Sequence, residues 1–209
     1  MKKLFSVLFL LPGLLAFAQE EMRSDEEVRT LFKKGTPVGF FAEWNNRPAL
    51  INDQAAFMTG GKLSLVFNHR INFGFGGYGL TTPVESNMLD ADGNIQYYDM
   101  GYGGLIVEPV VFHQSLVHFT VPVLIGAGGA GYRSSMYGDY WEDSYWNNYH
   151  ADAFFVVEPG INAELNIFKW MRLDVGISHR FVSSGYFGTP LGEELTGWSA
   201  NFSLKFGKF

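Results

Sequence analysis

Ala151-Asp152-Ala153-Phe154-Phe155-Val156-Val157-Glu158-Pro159-Gly160-Ile161-Asn162-Ala163-Glu164-Leu165-Asn166-Ile167 is the stretch from which the rest of the chain can be read. Its odd positions form one apolar row: Ala151, Ala153, Phe155, Val157, Pro159, Ile161, Ala163, Leu165 and Ile167. Its even positions bring in Asp152, Glu158, Asn162, Glu164 and Asn166. A tight break follows at Phe168-Lys169-Trp170. The alternation then resumes with Met171, Leu173, Val175, Ile177, His179 and Phe181 against Arg172, Asp174, Gly176, Ser178, Arg180 and Val182. A period of two over this length specifies long β-strands with one apolar face and one polar to charged face. A greasy face opposite a charged face suits a transmembrane β-barrel, with lipid outside and a polar lumen inside.

The same alternation extends in both directions. Strands are expected at about 36–45, 54–67, 71–80, 97–112 and 117–132. The hairpin above supplies the sixth and seventh, and a last strand carries Trp198, Ala200, Phe202, Leu204 and Phe206 on one face. Short turns are expected at 68–70, 113–116 and 168–170, and longer loops at 46–53, 81–96, 133–150 and 183–195. The expected fold is therefore all-β: an eight-stranded antiparallel up-and-down transmembrane barrel with short periplasmic turns and longer extracellular loops. Each strand exceeds the ~9–11 residues of a tilted span. An even count closes the sheet and removes edges that lipid would not tolerate. Val107-Glu108-Pro109 and Val157-Glu158-Pro159 repeat at equivalent points of two strands. Pro109, Pro122 and Pro159 each remove a ladder donor, which bulges would accommodate.

Composition narrows the class. The charged fraction is 17%, against about 25% in ordinary soluble domains. Glycine (25) and phenylalanine (20) are abundant, as strand packing and membrane interfaces favour. A net charge of −6 argues against nucleic acid as a partner. The absence of cysteine excludes a disulfide scaffold, a cysteine zinc site and a lipoprotein anchor. Lys2 and Lys3, the apolar run Leu4–Leu15 and Ala16-Phe17-Ala18 read as a signal peptide over 1–18. A short periplasmic tail (19–35) and the barrel (36–209) complete the expected organisation.

The ending of that signal, the Gly/aromatic strands and the terminal Phe206-Gly207-Lys208-Phe209 resemble small outer-membrane β-barrel proteins of Bacteroidota-type bacteria. The architecture is similar to the OmpA transmembrane domain and to OmpX-like barrels. The resemblance implies outer-membrane lipid as surroundings and recognition by the barrel-assembly machinery through Phe202, Leu204, Phe206 and Phe209. Phe209 stands one position out of step with the other three.

Glu43, Lys62, Glu108, Glu158, Glu164, Arg172, Asp174, Arg180 and Lys205 are expected to point inward. An eight-strand interior is just wide enough to fill with side chains. Charges there must pair, because an isolated buried charge costs several kcal/mol. The expectation is a lumen plugged by ion pairs in a monomeric, non-enzymatic protein; a narrow ion or solute pore is the alternative. Tyr140, Trp141, Tyr145, Trp146 and Tyr149 form an aromatic loop suited to an extracellular protein or glycan partner or to an interfacial girdle. Asp139, Glu142 and Asp143 beside them, and Asp90-Ala91-Asp92-Gly93-Asn94, match no EF-hand spacing, so no metal and no cofactor are expected. Ser178 and His179 face opposite ways, which speaks against a lipid-modifying enzyme. A periplasmic lipocalin-like carrier would need the inverse arrangement of faces.

Overall fold

A computed structural model describes residues 35–89, 93–133, 151–183 and 191–209. The expected signal peptide and all but the last residue of the expected tail lie outside them.

The described chain forms β1 (Val38–Ile51), β2 (Gln54–Phe67), β3 (Ile71–Leu80), β4 (Glu85–Leu89), β5 (Ile95–Val111), β6 (Val117–Thr120), β7 (Val123–Arg133), β8 (Ala151–Phe168), β9 (Met171–Val182), a short helix α1 (Leu191–Leu195) and β10 (Gly197–Lys208). All pairings are antiparallel. They run in a closed circuit. β1 pairs β2, β2 pairs β3, and β3 pairs β5. β6 and β7 each bridge β5 to β8, which leads through β9 and β10 back to β1.

The described residues form ten strands rather than the expected eight, and two local chemistries account for the difference. Pro109, Pro122 and Pro159 lie at one level of three neighbouring strands. None has an N–H to donate, and the expected fifth strand breaks at Val121–Pro122 into β6 and β7. The register is the same on both sides of the break: Val107 faces Val123 and Val110 faces Thr120 on one flank, Val123 faces Pro159 and Thr120 faces Asn162 on the other. No residue is inserted, so the prolines interrupt the ladder without a bulge. Val121 N–H still reaches Pro109 O at 3.1 Å, and Gly160 N–H reaches Pro122 O at 2.8 Å.

The second break lies at Thr81–Val84, after which β4 continues along β5 with a shifted register. Threonine side chains take over the interrupted pairing. Thr81 Oγ1 donates to Phe57 O at 2.8 Å, and Phe57 N–H donates to Thr82 Oγ1 at 2.8 Å. Much of the loop expected at 81–96 is therefore strand. The loop expected at 46–53 is also mostly strand: β1 continues through Arg47-Pro48, and only Asn52 and Asp53 turn the chain. Their φ values of 49° and 57° are those of a two-residue hairpin turn matched to strand twist. The loop expected at 183–195 contains α1.

The outer face carries an apolar belt built pair by pair. Leu63 faces Phe75, Phe75 faces Leu105, Leu105 faces Ile125, Ile125 faces Val157 and Val157 faces Phe181. All six are exposed, Leu63 by 67% and Phe75 by 69%. Between these rows the backbones come very close where glycine faces glycine, Gly104 against Gly126. A Cβ on Gly126 would sit 2.0 Å from Gly103 O and 2.6 Å from Gly104 Cα. Backbone cannot yield as a flexible side chain can, so Gly126→Ala is expected to cost about 1–3 kcal/mol. Urea unfolding in detergent micelles measures it; Gly129→Ala, whose Cβ would come no nearer than 4.0 Å to Asp152 O, is the control.

The interior is layered. The end carrying the turns at 68–70, 112–116 and 169–170 holds buried Glu43, Lys62, Glu108, His118, Glu164, Asp174 and Lys205. The opposite end is apolar, with Ile51, Met58, Tyr98, Met100, Phe154 and Val156 in one cluster. α1 seals that end. Leu195 is fully buried, Asn52 N–H donates to Glu194 O at 2.7 Å, and Tyr98 Oη donates to Glu194 Oε2 at 2.7 Å.

Candidate functional site

Strand parity brings the inward charges together. Glu43 on β1 faces Lys62 on β2 and Lys205 on β10; Glu164 on β8 faces Asp174 on β9 and His118 on β6. Lys205 Nζ lies at the centre. It is 3.0 Å from Glu108 Oε1, 3.0 Å from Asp174 Oδ2 and 3.7 Å from Glu43 Oε2, and it also pairs with Glu164. Lys62 Nζ lies 2.7 Å from Glu43 Oε2 and pairs with Glu108, to which Asn72 Nδ2 donates at 2.8 Å. Glu164 Oε2 completes the cluster with His118 Nε2 at 3.0 Å and Arg172 Nη1 at 3.3 Å.

A second group lies toward the apolar end. Arg47 donates to Glu158 Oε1 at 2.6 Å, to Asn45 Oδ1 at 2.9 Å and to Tyr102 Oη at 3.1 Å. Its guanidinium sits 3.3 Å over the Tyr78 ring. Tyr102 Oη and Ser178 Oγ both donate to Glu158, the latter at 2.6 Å. A cavity of about 20 Å³ between the two groups touches Glu43, Lys62, Arg47, Glu158, Asn162 and Asn201. That is room for about one water molecule.

Eight of the nine expected inward charges thus join ion pairs. Arg180 does not: among the described residues no carboxylate lies within ion-pair distance of it. It donates instead to Leu195 O at 2.7 Å and Leu50 O at 3.2 Å, and lies 3.3 Å from Met58 Sδ. It is buried at the apolar end and satisfies carbonyls beside α1. Arg47 and His118 were missed by the sequence reading. Arg47 falls in the loop expected at 46–53, although Glu43-Asn45-Arg47 continues the inward parity of β1. His118 alternates with the outward Val117 and Phe119 on β6 and so points inward.

Every carboxylate in these two groups is engaged by a cation or a hydroxyl. Ser178 faces inward to Glu158. His179 lies on the outer face, with ring centroids 4.4 Å from Phe181 and 4.6 Å from Trp198. The two side chains do not meet. Among the described residues no three His, Asp or Glu side chains form a metal-binding group. The loop residues Tyr140, Trp141, Tyr145, Trp146 and Tyr149 lie outside the described residues, as do Asp90, Asp92, Asp139, Glu142 and Asp143. Phe202, Leu204 and Phe206 point outward. Phe209 instead turns to the inner side, 5.6 Å from the Phe41 ring and 3.8 Å beneath the Arg172 guanidinium.

No family model and no curated protein matches the chain. Solved structures do. The crystal structure of Neisserial surface protein A aligns with a TM-score of 0.51 at 10% identity, covering 84% of this chain and 99% of that one. The chain has the fold of that surface protein. Two further structures are similar at lower scores. They are the N-terminal β-barrel domain of Pseudomonas aeruginosa OprF (0.46, 8% identity, 80% and 96% covered) and Yersinia pestis Ail, the attachment invasion locus protein, with the heparin analogue sucrose octasulfate (0.48, 11%, 82% and 98%).

Proposed function

We propose that the chain is a non-enzymatic, monomeric outer-membrane β-barrel protein of eight crossings, of the kind Bacteroidota-type bacteria carry, exported by its N-terminal signal. One observation carries this reading: the inversion of inside and outside. The interior holds the charges, and the exposed face holds Phe40, Trp44, Leu63, Phe75, Leu105, Ile125, Phe155, Ile177 and Phe202. Water does not tolerate so continuous an apolar surface on a monomer; hydrocarbon requires it. Closure of the ladder leaves no unpaired edge in lipid.

In this reading the lumen is plugged. The Lys205 cluster fills the turn end, the Arg47–Glu158 group lies further in, and the aromatic and aliphatic cluster with α1 fills the other end. The aromatic loop Tyr140–Tyr149 is the surface for an extracellular protein or glycan. The plug is tested by planar-bilayer recording on the purified, refolded protein. No steady conductance is expected; a reproducible unit conductance would replace the plug with the narrow-pore reading. Loss of surface binding on deleting 140–149 from an assembled barrel tests the loop; unchanged binding would remove its role.

A further inference from the structure

We infer that the groove between the 68–70 and 112–116 turns holds the headgroup phosphate of an anionic phospholipid, with an acyl chain lying along Val111 and Phe112. This rests on the barrel reading above, and three independent features support it. The first is charge sorting. At the turn end the exposed or half-exposed cations are Arg70, Lys169, Arg172 and Lys208, with His69 and His113 beside them, and among the described residues no exposed acidic side chain joins them there. Among the described residues the exposed or half-exposed charges of the opposite end are Asp53, Glu85, Asp99, Arg133, Asp152, Glu193 and Glu194. The described surface therefore favours an anionic partner at the turn end.

The second feature is Phe112. It is 68% exposed and has a φ of 58°, a left-handed conformation that bulky residues rarely adopt. Strain and exposure at one aromatic residue serve no packing need inside the fold. They place the ring where an apolar partner outside the protein would cover it. The third feature is shape. An open groove of about 520 Å³ runs beside Phe112, with Arg70 on one wall and His113 on another. Among the described residues the Arg70 side chain has no ion pair. A guanidinium presents the forked donors that match phosphate.

The test uses the full chain folded in a neutral detergent. Native mass spectrometry follows retention of phosphatidylglycerol or of phosphatidylcholine with the same acyl chains. Both lipids offer the same phosphate, but phosphatidylcholine adds a choline cation that the basic groups at this end repel. Retention of phosphatidylglycerol is therefore expected to exceed that of phosphatidylcholine by about tenfold, the effect of one to two basic side chains near an anionic headgroup. Arg70→Gln and His113→Gln, on separate turns, should each erode the preference. Phe112→Gly relieves the backbone and should weaken both lipids while the heat-modifiable band persists. Equal retention of the two lipids, an unchanged preference in the folded variants, or full displacement by excess inorganic phosphate would overturn the inference. A chain without heat-modifiable mobility fails the barrel reading instead; a heat-modifiable chain without lipid preference fails this inference alone.

Discussion

Lys205→Met is expected to lower folding stability by about 3–5 kcal/mol, the cost of removing one partner from a buried ion pair. The upper end is expected, because one ammonium serves four carboxylates. Glu43, Glu108, Glu164 and Asp174 all lie within ion-pair reach of Nζ, and the three glutamates are otherwise shared only with Lys62, Arg172 and His118. Methionine fills the volume and leaves like charges facing one another without water. Glu164→Gln added to Lys205→Met should recover part of the loss, since it removes one of the uncompensated charges. Lys208→Met, an exposed cation three residues away, should stay within about 0.5 kcal/mol of the parent. Urea titration of the refolded protein in micelles, read by gel mobility, separates these outcomes. A Lys205→Met protein as stable as the parent would show that the cluster is solvated and the lumen open.

Leu63→Arg is expected to cost about 2–4 kcal/mol in lipid, the penalty for a cation on the midplane of a barrel's lipid face. Leu63 lies near the middle of the exposed belt, between Ala42 on β1 and Phe75 on β3. The side chain meets no protein neighbour that would clash, so the cost comes from the surroundings and not from packing. The same substitution on a water-facing surface stays within about 0.5 kcal/mol. Unfolding in phospholipid vesicles reads the difference. A small effect there would mean that the outer face meets water, and the apolar belt would then need a protein cover.

Strand parity was the strongest information in the sequence. From Ala151 to Val182 it assigned each side chain to a face, and Glu158, Glu164, Arg172 and Asp174 stand inside as that parity requires. What it could not supply was the partner of each charge. Lys205 meets Glu108 across the lumen, 97 positions away, and no local pattern encodes that distance. Two misreadings share one cause. Arg47-Pro48 and Val121-Pro122 both looked like loop or bulge signals, because proline lacks a donor. In a closed sheet the neighbouring strands hold the register, so one proline continues β1 and the other only interrupts a strand. The apolar half of the interior was hidden for a different reason. Phe154 and Val156 on the inner face sit beside Phe155 and Val157 on the outer, so the alternation loses contrast where both faces are greasy. Arg180 followed the parity correctly, but its partners are the backbone carbonyls of Leu50 and Leu195, which no residue type announces.

A closed barrel held in lipid withstands a carbonate wash of the outer membrane and keeps a heat-dependent gel mobility. Outer membranes carrying the full chain are washed at high pH, and the retained protein is run boiled and unboiled. Retention in the washed membrane is expected, with a compact, fast-migrating monomer band that shifts to the unfolded position on boiling. Release by the wash with no mobility shift would contradict it, and would turn the exposed Leu63–Phe75–Leu105 belt into a surface that some other protein covers.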